Sequence, residues 1–524
     1  MRVLNASMLV HFDAKTTNVE ELADFVNMLS ENLDGFFLFT MGVIISLMQI
    51  GFGYLEAGNV NSKNATNVMF KNMMDSLMCA VVYWLIGFTL AFGDGNAFMG
   101  THPYIAGAKL FENKQFAHWF FQISYASTPA TIVSGAVVGR ITFVAYIIYS
   151  ALISGIVYPI VCHWAWTTQG WLYNWGYLDF CGSGVVHLTG GTCAIVAAVL
   201  LGARIGRFPP PGTVQTYEEQ LRFKSHNTLT AGLGIMILYT GFFAFNGGSV
   251  LGLSRPGDAE LVAKIMINTW LASSGGGIGC LIIVRTGIVD GEKRWSFLHA
   301  MNAGLAGMAA TCAQANMLNP WQALLNGFCV SVVYCALSRL VPKLRVDDPV
   351  NVISVHFGGG LWGATGTTLL RSDSLAGGHF ENVLPYLGRN IVGAISIITW
   401  ASLCSILIFG SLKLAGLLRA SPEDELAGAD MSKHKEPAYQ GLPCNHGENE
   451  SHNLRHALDH GHLLSTIAGN IRNSISRSIK RDSVGSINST RLRRDTLKRD
   501  SSRHNSLKRT SVASPLSIQD PSPA

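Results

Sequence analysis

Apolar runs of about 20 residues recur along most of this chain, the length a helix needs to cross a bilayer. Eleven such segments fall near residues 36–57, 74–93, 118–139, 142–162, 183–203, 228–250, 261–284, 296–315, 320–341, 349–370 and 390–416. The pattern predicts an all-α polytopic membrane protein with 11 transmembrane helices. Internal similarity orders them. GFGYLEAGNV (Gly51–Val60) on the first span aligns with GFFAFNGGSV (Gly241–Val250) on the sixth. DFCGSGVVHLTGG (Asp179–Gly191) on the fifth aligns with DPVNVISVHFGGG (Asp348–Gly360) on the tenth, each with an Asp eight residues before a His. Counterparts stand five spans apart, an odd number that reverses direction. Two inverted five-helix repeats then meet at a pseudo-two-fold axis, with a site near the midplane and the eleventh helix outside the repeat.

Composition agrees: 48% of residues are hydrophobic and only 14% charged, too apolar for a string of soluble domains. The formal net charge of +5 describes mainly the last hundred residues. Basic residues concentrate in one alternate set of short loops, including Lys63, Lys71, Arg140, Arg204, Arg207, Arg222, Lys224, Arg285, Lys293, Arg339 and Arg345. That bias places the N-terminus outside and the C-terminus in the cytoplasm. Asn5-Ala6-Ser7 is then a usable glycosylation acceptor, and Asn64-Ala65-Thr66 is not. The expected divisions are an extracellular segment 1–35, a membrane domain 36–417, a cytoplasmic regulatory segment 418–440 and a basic, Ser/Arg-rich disordered tail 441–524. In the tail, Ser483, Thr496, Ser501, Ser506 and Ser511 follow Arg or Lys at spacings that suit basophilic kinases; a solvated or lipid-hugging tail without a switch is the alternative. Cys79, Cys162, Cys193, Cys280, Cys312 and Cys404 lack metal-type spacing and read as buried free thiols. SSGGGIG (Ser273–Gly279) reads as close helix packing, and Gly135 with Gly139 as a small-xxx-small pair.

The candidate chemistry lies in the paired motifs. An ionisable side chain at membrane depth is costly and marks a pathway more often than packing. His187 and His356 occupy matching contexts, and on a helix an Asp eight residues earlier shares nearly the same stripe. Neutral imidazoles both donate and accept hydrogen bonds, which suits passage of a small polar molecule or a proton. Too few further ligands surround them for zinc. Asp348 reads mainly as a helix N-cap; Asp179 reads as a cap that also offers negative potential to an entering cation. Trp166 with Tyr125 or Phe121 can form a cation-π cup, with Ser249 as a hydrogen-bond acceptor and Phe245 as its floor. An ammonium group drawn there and stripped of water is prompted to lose its proton.

DFCGSGVVHLTGGTCAIVAA resembles the signature of the ammonium transporter family (Amt/Mep/Rh), together with EAGNVNSKNATN, HWAW…GW, FNGGS, RVDDPVNVISVHFGGGLWG and ELAGADMSKHKEPAY. The similarity spans roughly residues 36–440 and is nearest the Amt branch, in its animal and plant members. The resemblance implies a plasma-membrane homotrimer with a pore through each subunit, carrying ammonium or ammonia and methylammonium. It implies recruitment at Trp166, Ser249, Tyr125 and Phe121, a gate of Tyr125 and Phe245, Asp179 for recruitment or structure, and a lumen lined by His187 and His356. Tyr125 stands where Phe is usual, Cys181 where Ala is usual, Phe242 where Trp is common, and His434-Lys435-Glu436 where the family has His-Gly-Glu. These departures bear on rate, gating and tail coupling.

An ammonium sensor signalling through the tail is the second reading, and a membrane metal hydrolase built on His187, His356 and Asp179 the third. The expectation is no enzymatic activity, no cofactor, no resident metal and no nucleic-acid partner. His452, His456 and His460 near Cys444 read as part of a solvated tail.

Overall fold

The computed structural model describes residues 19–210 and 212–439. Helix forms over all eleven expected segments, and the protein is an all-α polytopic membrane protein. Eight of the helical segments among the described residues are both long and apolar enough to cross a membrane unaided. The other three, the third (Phe116–Val137), eighth (Phe297–Gln314) and tenth (Ile353–Leu370), are Ser/Thr/Gly-rich or broken by 3-10 and π turns. Their polar groups face other helices, so low hydropathy there marks burial in protein.

Capping fixes where several spans begin. Thr142 accepts from Ala145 N, Asn227 from Thr230 N and Ser296 from His299 N, while Asn319 and Gln322 form a capping box ahead of the ninth span. The first helix, Val19–Asn59, starts well before the expected residue 36 because VEELADFVNMLSENL is itself a good helix former with Glu20 and Glu21 at its N-terminal end. Residues 19–35 are therefore helical. A short antiparallel hairpin, Asp94–Gly95 with Gly100–His102, sits between the second and third spans.

Glycine sets how closely helices approach. A Cβ on Gly275 would lie 2.3 Å from the carbonyl of Leu324, and one on Gly276 would lie 2.4 Å from that of Ala303. The SSGGGIG run is thus a packing surface. Gly135 packs the same way, its ideal Cβ 2.6 Å from Val350, but Gly139 lies beyond the helix end at φ +82°. The expected small-xxx-small pair is not a helix face, because the third span stops at Val137. The cysteines expected to be free thiols are free, Cys404 half-buried and the others buried.

The segment after the eleventh span (Val383–Leu414) returns to the helical body. Asp430 accepts from Thr66 N (3.1 Å) and Asn67 N (2.8 Å) at the start of the second span, and His434 Nε2 lies 3.0 Å from Asn67 Oδ1. The His434 ring also meets Phe70 edge-on at 5.2 Å. Asn5, the kinase-type Ser and Thr positions and the tail histidines lie outside the described residues.

Candidate functional site

Neither Asp shares a helix stripe with its His. Each precedes a π-helical turn, Ser183–Leu188 or Ile353–Gly358, in which the His sits. Asp179 caps the first completely. Its Oδ1 accepts from Gly182 N and Ser183 N (3.0 and 2.8 Å), its Oδ2 from Gly184 N and Val185 N (2.8 and 2.9 Å). Asp348 accepts from Val352 N (3.1 Å) and Ile353 N (2.8 Å). A carboxylate satisfied by oriented amides at a helix N-terminus is a structural anchor. Gly182, at φ +105°, makes the tight approach possible, which is why the DFCGSG turn needs glycine there.

A π turn accommodates one extra residue per turn and rotates the side chains it carries. Here it coincides with both imidazoles, which face each other. His187 Nδ1 is 3.1 Å from His356 Nδ1, and the rings stack at 5.2 Å between centroids. One proton lies between the two Nδ1 atoms, so the neutral pair holds opposite tautomers: one Nε2 is an acceptor and the other a donor. His187 Nε2 is buried and has no hydrogen-bond partner among the described residues. Apolar rings sheath the pair: Phe242 stacks on His187 at 5.4 Å, and Phe52 lies 6.1 Å from His356.

The aromatic cup forms on the Trp166 side. Trp166 donates Nε1–H to the Asp179 carbonyl (2.7 Å), which fixes its ring, and meets Tyr125 edge-to-face at 5.9 Å. Phe121 lies 5.0 Å from Tyr125, and Tyr125 stacks on Phe245 at 4.0 Å. That stack separates the cup from the His pair, with Phe245 5.7 Å from His187. The Tyr125 hydroxyl bonds the Phe245 carbonyl and lies 2.9 Å from Ser249 Oγ. A cavity of about 440 Å³ opens above, bordered by Tyr125, Trp166, Asp179 and Ser249.

Every predicted site residue therefore converges on one axis except Asp348, which anchors the His356 turn. Sequence reasoning missed His118, Gln122 and Arg371 at the same cavity. His118 stands two turns before Tyr125 on the third span, a spacing legible in the sequence, and its Nδ1 lies 3.1 Å from Gln115 Oε1. Arg371 reaches the mouth with its charge answered by Asp373, both contacts at 2.7 Å. That guanidinium holds the Asp373 carboxyl below the usual carboxylate range. Among the described residues no cluster of His, Cys, Asp or Glu could hold a metal ion.

The Ammonium Transporter Family model matches residues 36–439. "Putative ammonium transporter 1" of Caenorhabditis elegans is 38% identical over 459 residues, covering 82% of this chain and 84% of its own. "Ammonium transporter 1 member 3" of Solanum lycopersicum is 31% identical, covering 78% and 94%. A solved structure titled "Sensor Amt Protein" is 31% identical with a TM-score of 0.70, covering 78% of this chain and 100% of that one. The chain belongs to the ammonium transporter family.

Proposed function

We propose that this protein carries ammonium across the plasma membrane. Ammonium and methylammonium are recruited at Trp166, Tyr125, Phe121 and Ser249, where aromatic faces and hydroxyl oxygens replace water around the cation. At the Tyr125–Phe245 stack there is no room for a hydration shell. A desolvated ammonium gives up its proton to water in the cavity outside the stack, and neutral ammonia passes to the imidazoles, whose donor and acceptor nitrogens substitute for water. Asp179 holds the turn that aims His187 and fixes Trp166 through its own carbonyl. The observation that carries this reading is an aromatic stack at 4.0 Å closing directly above a buried imidazole pair with an unpartnered nitrogen. The rest of the proposal is a homotrimer with the N-terminus outside, Asn5 glycosylated, residues 418–440 a cytoplasmic regulatory segment, and a tail open to basophilic kinases.

The test is uptake of labelled methylammonium in cells lacking their own ammonium transporters. Wild type gives saturable uptake, and Trp166→Ala raises KM about fivefold or more, the loss of about 1 kcal/mol of cation-π attraction. No uptake by correctly surfaced wild type rejects transport. The likeness to a structure titled as a sensor favours one second reading, ammonium sensing through the tail. Saturable binding without flux is its signature.

A further inference from the structure

The repeat that pairs Gly51–Val60 with Gly241–Val250 makes Phe52 the counterpart of Phe242 and Glu56 that of Asn246. The geometry follows the alignment, with Phe242 against His187 and Phe52 against His356. Glu56 stands one helical turn beyond Phe52 on the same face, away from Trp166. Its Oε1 lies 3.9 Å from the ideal Cβ of Gly135, which itself lies 2.7 Å from Val352 at the head of the His356 turn.

This carboxylate is only 1% exposed, yet its hydrogen-bond partners among the described residues are all neutral. Oε2 accepts from Ser134 Oγ (2.7 Å) and Asn72 Nδ2 (3.2 Å). Oε1 of Glu56 and Oδ1 of Asn72, itself 3% exposed, are both buried and accept no hydrogen bond among the described residues. Lys71, the ammonium beside Asn72, acts on Glu56 only through space: its Nζ donates to the Ile141 carbonyl at 3.0 Å and sits 5.6 Å over the Tyr146 ring. A second carboxylate, Asp75, is also held only by hydroxyls, those of Thr131 and Ser150. A buried carboxylate with no cation bonded to it is expensive, and unfilled acceptor positions add to the cost. A small cation bearing several N–H donors relieves both.

We propose that Glu56, with Asn72 and Ser134, forms a second binding site for a small ammonium ion, at the end of the lumen opposite Trp166. The site rests on the proposed function, because its ligand is that function's substrate. Oε1 of Glu56 supplies the charge, and Asn72 Oδ1 is the second oxygen of the cluster open to an N–H donor. Sodium and potassium bring equal charge without directed donors, so they fit this acceptor set less well.

The test is thermal unfolding of the purified full chain in detergent, titrated with ammonium chloride in a Trp166→Ala background that weakens the first site. The expected result is a saturable rise in Tm that Glu56→Gln abolishes and Asn72→Ala shifts about tenfold to higher ammonium. Sodium or potassium chloride should need at least about tenfold more salt for the same rise. An unchanged half-saturation in Glu56→Gln overturns the site; if that variant does not fold, an unchanged half-saturation in Asn72→Ala does so. Equal response to sodium overturns its assignment to ammonium. Loss of wild-type methylammonium uptake, by contrast, defeats the transport reading while the binding curve still decides the site.

Discussion

The hydroxyl of Tyr125 donates to the Phe245 carbonyl, so at 2.9 Å it accepts from Ser249 Oγ, and the ring that stacks on Phe245 also orients the oxygen expected to greet the substrate. Ser249 Oγ keeps its lone pairs for an entering ammonium. Tyr125→Phe keeps the stack and removes the bond that orients Ser249. The expected outcome is a methylammonium KM raised about fivefold, the equivalent of about 1 kcal/mol. A KM that stays put or falls shows that this bond does not hold Ser249 for the cation.

The imidazole pair makes a different prediction. His187→Ala removes one of the two rings and leaves His356 Nδ1 without its partner. The helices should still fold, since ring-to-ring contacts are few among many packed surfaces. Methylammonium uptake should fall at least about tenfold, or potassium should begin to pass, with the loss of directed hydrogen bonding. Wild-type flux and wild-type discrimination against potassium in this variant would remove His187 from the pathway.

Asp179 is expected to fail by another route. Asp179→Ala strands four buried amides, at Gly182, Ser183, Gly184 and Val185, and costs about 3 kcal/mol or more. The yield of folded protein and its Tm should drop together with uptake. Normal Tm with uptake abolished would instead make Asp179 a direct substrate ligand.

Outside the membrane, Asp347 binds Arg204 at 2.8 Å through Nε and accepts from Arg204 N at 2.9 Å. Burial alone would push its carboxyl up, but the Arg204 hydrogen bond and the charges of Arg204 and Arg140 outweigh it and hold the group well below the usual carboxylate range. A depressed folded value stabilises the protein fully above the ordinary carboxylate pKa and loses that contribution as pH falls. Asp347→Asn should therefore cost about 3 kcal/mol near neutral pH. The gap to wild type should narrow only below about pH 4. A gap that closes between pH 7 and 5 would contradict the ion pair.

The sequence alone determined the helical segments, the internal repeat and the identity of the central groups. Long apolar runs and matching motifs are local facts, and a bilayer leaves few structures that satisfy every backbone group. Hydropathy also marked its own weak points, for the third and tenth spans are polar because they line protein rather than lipid. Tertiary structure decided what those groups do. His187 and His356 are 169 positions apart, and only helix packing and two π turns bring Nδ1 to Nδ1. The capping by Asp179 depends on a turn geometry that helical periodicity cannot express, and the Tyr125–Ser249 bond joins spans three and six. Glu56 is one of several carboxylates along its helix, and only its burial against Asn72 and Ser134 sets it apart. Local pattern fixes which segments can cross a membrane; contacts between distant segments fix which polar atoms remain to be satisfied, and function lies in those atoms.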